Sequence, residues 1–318
     1  MTDKADDFIE KLEFLVTPSI SLSVSRPFLG LFLSFLAVLL GLATGILIKK
    51  TGTDIGIVTT LFYRFLFSIP LLCAYALYMR GRQFLQINQT KTLALRIIFG
   101  GSGIIFWFLS IRNMPFGQAT ALFQSAVIFV TIFSPLLLGE KIGIYRWSAV
   151  IAGLFGVFIV SDPFSGDISF YTLFGVCAAM SGAALSIVLR RLGKGDAPAS
   201  IALWYNGSGT IVAGLVVIFM PSLLDPVGGE LLFDLILLGV IGSALQICFT
   251  SAYRYSDAVV VSSMRYLQIP LSGMAGFLMF AEVMSFTQIL GVVIIISSCL
   301  VIAWREFIRN REATLAPE

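Results

Sequence analysis

Residues 113–160 read NMPFGQATALFQSAVIFVTIFSPLLLGEKIGIYRWSAVIAGLFGVFIV, and this stretch decides the fold. Two apolar runs flank a short polar hinge that contains Glu140. The same layout returns at residues 255–302, where Glu282 lies in the hinge. The two glutamates are 142 positions apart, which is nearly half of the 318-residue chain. A period of that length predicts an internal duplication and not a short-repeat solenoid.

The composition predicts an integral membrane protein. Hydrophobic residues make up 58% of the chain and charged residues 12%, and the mean hydropathy is +0.95. Soluble domains contain about 25% charged residues. A net charge of +3 without a basic run argues against a nucleic-acid partner. The absence of histidine and the scattered placement of the four cysteines predict no metal site and no cofactor.

A membrane-spanning helix needs about 20 mostly apolar residues. The chain contains ten continuous apolar runs of about that length, joined by short connections. They predict an all-α integral membrane fold with ten transmembrane helices, at residues 28–48, 55–79, 94–111, 114–138, 143–161, 168–189, 199–220, 231–252, 257–280 and 283–304. Because five spans per half is an odd number, the second half is expected to cross the membrane inverted. Inverted repeats are a common way to build a transporter with one site near the midplane.

The loop charges predict the orientation, because cytoplasmic loops retain lysine and arginine. With the N-terminus inside, sixteen of the 21 basic residues fall in inside segments. Only Lys49, Lys50 and Arg112 fall outside, and Arg64 and Arg265 lie within spans. Both termini are therefore expected to be cytoplasmic, with the protein in the cell (inner) membrane.

The two hinges and the residues around them carry a family resemblance. These residues are Leu138-Gly139-Glu140, Trp147 and residues 153–156 in the first half, and Phe280-Ala281-Glu282, Gln288 and Gly291 in the second. On them, and on the segment at residues 63–65, the chain resembles the drug/metabolite transporter superfamily with two EamA-type repeats. The resemblance implies ten helices, both termini inside, and carriage of small organic metabolites or drugs. The second hinge and the closing residues 304–306 are most similar to the branch that includes riboflavin and S-adenosylmethionine permeases.

The resemblance divides the chain into four segments. Residues 28–161 form the first EamA-type repeat of five helices, and residues 168–305 form the second. Residues 1–27 are a cytoplasmic segment, predicted as an amphipathic helix with an acidic polar face or as a disordered tail. Residues 306–318 are a cytoplasmic tail.

Two arginines at membrane depth are the leading site candidates, because ionisable groups there are costly. Arg64 and Arg265 lie near the middle of predicted spans. Either one could bind an anionic or electron-rich part of a substrate with its planar fork of donors. Alternatively, each could bond carbonyls freed by broken helices or pair with a loop acid such as Asp54 or Asp257. Asn206, at the position that corresponds to Arg64, makes the two halves unequal.

Polar and aromatic residues at similar depth could line the same cavity as these arginines. They are Trp107, Gln118, Gln124, Ser125, Trp204, Tyr205, Asn206, Gln246, Tyr253, Tyr266 and Gln268. Gln124 and Tyr266 occupy matched positions in the two repeats. A flat organic ligand would suit this set, although such residues also bond and pack between helices. Hinge or structural roles are predicted for Glu140, Glu282, Pro135 and Pro270.

These patterns favour a metabolite permease, with a small organic solute and the lipid bilayer as partners and with a homodimer as an option. An exporter of amino acids or drugs on the same fold is the alternative. An intramembrane enzyme would need a nucleophile–base pair or a metal cluster at depth, which the residue types do not supply. A lipid-handling membrane protein of the same fold is a further alternative.

Overall fold

A computed structural model describes residues 27–52, 54–138, 143–161, 170–192, 196–255, 261 and 264–315. The predictions for residues 1–26 and for Glu140 lie outside these residues, as does the one for the side chain of Pro135. The regular structure of the described residues is entirely helical. Its α helices are α1 (Pro27–Thr51), α2 (Ile57–Arg80), α3 (Thr90–Asn113), α4 (Phe116–Gln124), α5 (Ala126–Leu138), α6 (Ile144–Val160), α7 (Phe170–Leu192), α8 (Pro198–Phe219), α9 (Gly229–Tyr255), α10 (Gln268–Phe280) and α11 (Phe286–Leu315). Short 3-10 helices lie at Gly81–Gln83, Pro221–Leu223 and Arg265–Leu267.

Most of these helices could cross a membrane. By length and composition, eight segments of the described chain are long and apolar enough to do so. A shorter apolar helix lies at Trp147–Val160, and α10 has 13 residues. Large apolar side chains on the outer helix surfaces are exposed, as lipid contact requires. The prediction of an all-α membrane fold is confirmed, and the count of ten spans stays a prediction.

The predicted span at residues 114–138 is not one helix. It is divided into α4 and α5 at Ser125, whose φ and ψ are −64° and −4°. The Ser125 N–H is shared between the carbonyls of Ala121 and Leu122, both at 3.1 Å, and its hydroxyl donates to the Leu122 carbonyl at 2.6 Å. This tightened turn interrupts the regular α-helix at a buried position.

Helices of the first half pack mainly against helices of the second half. In the described residues the largest contacts join α1 to α9, α3 to α7, α2 to α8 and α6 to α11. Under the offset of about 142 residues, α1 corresponds to α7 and α3 to α9. The offset therefore maps the α1–α9 contact onto the α3–α7 contact and the reverse. It maps the α2–α8 contact and the α6–α11 contact each onto itself.

Two contacts between the halves bring helix backbones close together through glycines. A Cβ built on Gly156 would lie 3.0 Å from the Gly291 carbonyl oxygen, where α6 meets α11. A Cβ built on Gly117 would lie 2.8 Å from the Cα of Gly273, where α4 meets α10. Small residues allow such approach between membrane helices, where dispersion and not the hydrophobic effect drives association. Both crossings join the two halves.

Candidate functional site

The turn at Ser125 faces a second irregular segment at the matched position of the other half. There the chain forms the 3-10 helix Arg265–Leu267 before α10 begins at Gln268. Pro270 lies in the first turn of α10 and cannot donate to the carbonyl of Tyr266, four residues earlier. Irregular backbone at membrane depth is tolerated where it is buried in protein or lines a cavity. Two such segments facing each other mark this place as the candidate site.

Gln124 and Arg265 hold the two segments together. The Nη2 atom of Arg265 donates to Oε1 of Gln124 at 2.9 Å. In return, Nε2 of Gln124 donates to the Arg265 carbonyl at 3.0 Å and to Oε1 of Gln268 at 3.1 Å. Gln124 and Gln268 are buried, whereas Arg265 is only half-buried. The predicted pair therefore lies at the contact between the halves.

Aromatic rings surround the Arg265 guanidinium. Its Cζ atom lies 5.1 Å from the ring centroid of Phe249 and 5.9 Å from that of Phe123. The Phe123 ring in turn contacts Trp107, with the centroids 5.4 Å apart. Cations are attracted to the faces of such rings. The Phe123 ring therefore lies between Arg265 and Trp107, which was predicted at the site.

Tyr266 takes a different position from the one that its match with Gln124 suggested. Gln124 bonds the neighbours of Tyr266, namely Arg265 and Gln268. The Tyr266 side chain is buried, and its hydroxyl interacts with the thiol of Cys299 on α11. The Tyr266 hydroxyl therefore links the segment that carries Arg265 to α11.

Asn206 and Gln246 belong to a separate polar network between α2, α8 and α9. The Ser68 hydroxyl donates to Oδ1 of Asn206 at 2.9 Å. The Nδ2 atom of Asn206 donates to the Ala202 carbonyl at 2.8 Å and to Oε1 of Gln246 at 3.3 Å. The Ser243 hydroxyl adds a bond to the Ser68 carbonyl at 3.2 Å. This network ties α8 to α2 and α9.

Arg64 lies beside this network, on the face of α2 that is turned to the interior. Its exposed fraction is 5%, and its Cζ atom stacks 5.1 Å from the Phe65 centroid and 5.9 Å from the Phe108 centroid. In the described residues it forms no ion pair, so the alternative of a partner in Asp54 is not what the structure shows. The Phe65 ring contacts Tyr205 edge to face at 5.7 Å, which brings the predicted Tyr205 to the same group.

Arg96 is a buried residue that the sequence analysis missed. It was counted among the charges of a cytoplasmic segment, but it lies inside α3 with an exposed fraction of 9%. Its Cζ atom lies 4.0 Å from the centroid of the Tyr205 ring. A Cβ on Gly100, one turn further along α3, would overlap the guanidinium. In the sequence, Gly100 four residues after Arg96 leaves room for the arginine side chain to lie along the surface of α3. This spacing could have indicated a buried arginine.

Glu282 closes one end of the helix bundle. Its carboxylate forms an ion pair with Lys49 at the end of α1, and it accepts a hydrogen bond of 2.7 Å from the Phe116 N–H at the start of α4. Lys49 also donates to the carbonyls of Ile111 and Met114, at 3.2 and 2.5 Å. Ala281 adopts a left-handed conformation with φ of 53°, which turns Glu282 back towards the bundle. We call this group the Glu282 lock.

Loop residues tie the halves together at both ends. At the end of the Glu282 lock, Asp225 accepts bonds from the Gly56 N–H at 2.6 Å and the Thr59 hydroxyl at 2.8 Å. The Gly56 bond, followed by the Thr59 bond, holds the pKa of the Asp225 carboxyl below its ordinary value. At the opposite end, Asp196 accepts bonds from the N–H groups of Asn88 and Gln89 at 2.7 and 3.0 Å, just before α3.

No cluster of three or more metal-ligating side chains occurs within the described ranges. The side chains at the site offer hydrogen bonds, charge and ring faces. The Arg265 fork and the amides of Gln124 and Gln268 can bond a polar solute. The rings of Phe123, Phe249 and Trp107 can contact a flat one. Such an arrangement is suited to reversible binding.

Known proteins with similar sequences are membrane transporters. A riboflavin transporter of Rhizobium johnstonii is 29% identical over 257 residues, covering 79% of this chain and 80% of the relative. An S-adenosylmethionine uptake transporter of Rickettsia felis is 28% identical over 264 residues, 83% of this chain and 88% of the relative. A pseudopaline exporter of Pseudomonas aeruginosa is 24% identical over 275 residues, 86% of this chain and 95% of the relative.

The fold has a counterpart among solved structures. A crystal structure aligns with a TM-score of 0.59 and 17% identity, over 87% of this chain and 96% of that one. The model of the EamA-like transporter family matches this chain twice, at residues 28–162 and 169–304. The predicted resemblance is confirmed, and the chain belongs to the EamA-like transporter family of membrane transporters.

Proposed function

We propose that this protein is a secondary transporter that moves a small organic metabolite across the cell (inner) membrane by alternating access. The substrate binds near the midplane, between two inverted five-helix repeats at residues 28–161 and 168–305. The observation that carries this proposal is the reciprocal hydrogen bonding of Gln124 and Arg265, which joins two irregular backbone segments from opposite halves. Broken helices at a repeat interface are where transporters of this kind hold their substrates.

The helix pairing supports the inverted repeat. A rotation that exchanges α1 with α7 and α3 with α9 also exchanges their two contacts, and it leaves the α2–α8 and α6–α11 contacts in place. A twofold axis in the membrane plane has this effect on two copies of one unit inserted in opposite directions. The 142-residue offset between the hinges at Glu140 and Glu282 agrees with such a duplication.

The contacts of Arg265 suggest how the halves separate and rejoin. In this state the guanidinium donates to the side-chain oxygen of Gln124. An oxygen of a bound solute can replace the Gln124 amide at little cost, because one hydrogen bond is exchanged for another. Binding then removes one link between the halves and lets them move about the site, which couples occupancy to the change of access.

The substrate is proposed to be a metabolite with a flat ring, and its class is that of the riboflavin and S-adenosylmethionine relatives. The rings of Phe123, Phe249 and Trp107 next to donors and acceptors support this choice. The second candidate is export of amino acids or drugs, and it is supported by the name of the pseudopaline exporter among the relatives.

The purified protein in proteoliposomes is expected to accelerate entry of riboflavin or S-adenosylmethionine over protein-free vesicles. Vesicles preloaded with the unlabelled solute should take up more labelled solute than empty ones, because exchange requires a carrier that alternates. If neither solute crosses faster than in protein-free vesicles, the substrate assignment is wrong. A thermal-shift panel of amino acids and drugs then tests the export candidate.

Single cysteines are expected to report the proposed orientation, with both termini cytoplasmic. In a background where the four native cysteines are replaced by alanine, Asp167→Cys should react in intact cells with a membrane-impermeant maleimide. The matched control Lys194→Cys should react only after the cells are permeabilised. The reverse pattern would invert the topology, which rests on the sixteen-to-three division of the loop charges.

A further inference from the structure

Two buried arginines close to the candidate site have donors without acceptors. Arg64 and Arg96 have exposed fractions of 5% and 9%. In both of them the Nε and Nη1 atoms are buried and have no hydrogen-bond partner among the described residues. A buried charged group that lacks its hydrogen bonds destabilises the fold substantially. Either something else supplies the acceptors or the fold tolerates two such groups side by side.

The two guanidinium groups share one aromatic support. Arg96 stacks on Tyr205 at 4.0 Å and Arg64 on Phe65 at 5.1 Å, and these two rings contact each other edge to face at 5.7 Å. Stacking satisfies the faces of the guanidinium groups, and it leaves the Nε and Nη1 donors of both without an acceptor among the described residues. The Tyr205 hydroxyl donates to the Gly100 carbonyl at 3.0 Å, which fixes the ring on which Arg96 stacks.

Negative charge is missing from this place in the described part of the chain. The ion pairs found there join Lys49 to Glu282 and Lys50 to Asp234, both near helix ends. Two adjacent planar forks of donors, both positive, match the oxygens of a carboxylate or phosphate, which such forks bind in a bidentate manner.

A continuous series of ring contacts connects this pair of arginines to Arg265. Arg64 lies 5.9 Å from Phe108, and Phe108 contacts Trp107 with the centroids 5.7 Å apart. Trp107 contacts Phe123, on whose ring Arg265 rests. A solute with a flat body at Trp107 and Phe123 would therefore direct a substituent towards Arg64 and Arg96.

We propose that Arg64 and Arg96 form an oxyanion-binding site and that the transported solute carries a carboxylate or phosphate group that they bind. The inference rests on the proposed transport function and names the charge class of its substrate. Gly100 is part of the site, because only a residue without a Cβ lets the Arg96 guanidinium lie against α3.

Thermal unfolding of the purified protein tests this site without an identified substrate. Inorganic phosphate, pyrophosphate or citrate is added in delipidated detergent solution, and chloride at the same ionic strength is the reference. At an oxyanion concentration of about 100 Kd, we expect at least one of the three to raise the Tm by roughly 5 °C. Arg64→Met and Arg96→Met should each abolish this rise. Lys91→Met, which removes an exposed charge on the same helix, should retain it.

The Tm values without added anion give a second readout. Because each methionine removes an unpaired buried charge, the variants should unfold at or above the wild-type Tm. A lower Tm in both would assign the arginines to packing and overturn the proposal, as would a wild-type protein that no oxyanion shifts. If Arg96→Met does not fold, Arg96→Lys keeps the charge without the fork and should weaken oxyanion binding about tenfold.

The remaining measurements distinguish a solute anion from a lipid headgroup as the ligand. They also distinguish failure of this proposal from failure of the proposed transport function. A rise in Tm that depends on the arginines but appears only with phosphatidylglycerol would assign the site to a lipid headgroup and overturn a solute site. Carrier-mediated entry of neutral riboflavin without any oxyanion shift would remove this inference and leave the transport function standing. If an oxyanion raises the Tm through the two arginines but the protein transports none of the tested solutes, the result would count against the transport function alone.

Discussion

Arg265→Ala is expected to reduce the initial rate of solute uptake by about 10- to 100-fold. The side chain supplies the charged donors at the contact between the halves, and a hydrogen bond from a charged group contributes about 1.5–3 kcal/mol. Each 1.4 kcal/mol corresponds to roughly a tenfold change in binding. The measurement is uptake of the identified solute into proteoliposomes, normalised to the amount of reconstituted protein.

Two variants make the Arg265 result specific. Arg265→Lys keeps the charge between Phe123 and Phe249 but loses the fork, so it should retain part of the activity. Arg82→Ala removes an exposed arginine outside the bundle interior and should transport like the wild type. Wild-type uptake by Arg265→Ala at equal protein levels would remove Arg265 from the site.

Lys49→Met is expected to lower the Tm by about 5 °C or more. It leaves the Glu282 carboxylate, whose side chain is 18% exposed, without its positive partner. Removing one member of a buried pair destabilises by about 3–5 kcal/mol, and this partly exposed pair should fall near 2 kcal/mol. A change of 1 kcal/mol shifts the Tm of a protein of roughly this size by about 2–4 °C.

Lys91 at the start of α3 is the matched control. Its side chain is exposed, so Lys91→Met should change the Tm by less than about 2 °C. Glu282→Gln should cost less than Lys49→Met, because the amide oxygen still accepts from the Phe116 N–H and Lys49 keeps two carbonyl partners. Equal Tm values for the two lysine variants would contradict the Glu282 lock.

The regular parts of the fold were predictable because the bilayer imposes a single strong requirement on them. A continuous apolar run must form a helix, since its backbone has no water to bond. The hinge at Glu282 was predictable because the same layout, two apolar runs around a glutamate, also occurs at Glu140. The turn at Ser125 was not, because it lies inside an apolar run and depends on contacts with the segment at Arg265, 140 positions away.

The sequence could indicate which residues lie near the contact between the halves but not how they group. Gln124 bonds Arg265 and Trp107 contacts Phe123, whereas the Tyr266 hydroxyl interacts with Cys299 and Asn206 joins a network with Ser68. That these residues bind a solute stays a prediction. A matched position in a repeat predicts equivalent backbone, and it does not predict where a side chain points. Arg96 was missed because a charge near a helix end is ordinarily solvated, and only its burial against Tyr205 shows otherwise.

The exchange of helix partners between the halves has a consequence for how the protein is made. Residues 27–161 are synthesised before the helices that cover them, since the main neighbours of α1, α2, α3 and α6 all lie after residue 170. At 5–20 residues per second, translating the second half takes about 7–30 s. Throughout that interval the helices of the first half lack their main partners, and their glycine crossings and arginines are uncovered. The first half can therefore reach its native packing only after the helices of the second half have been made.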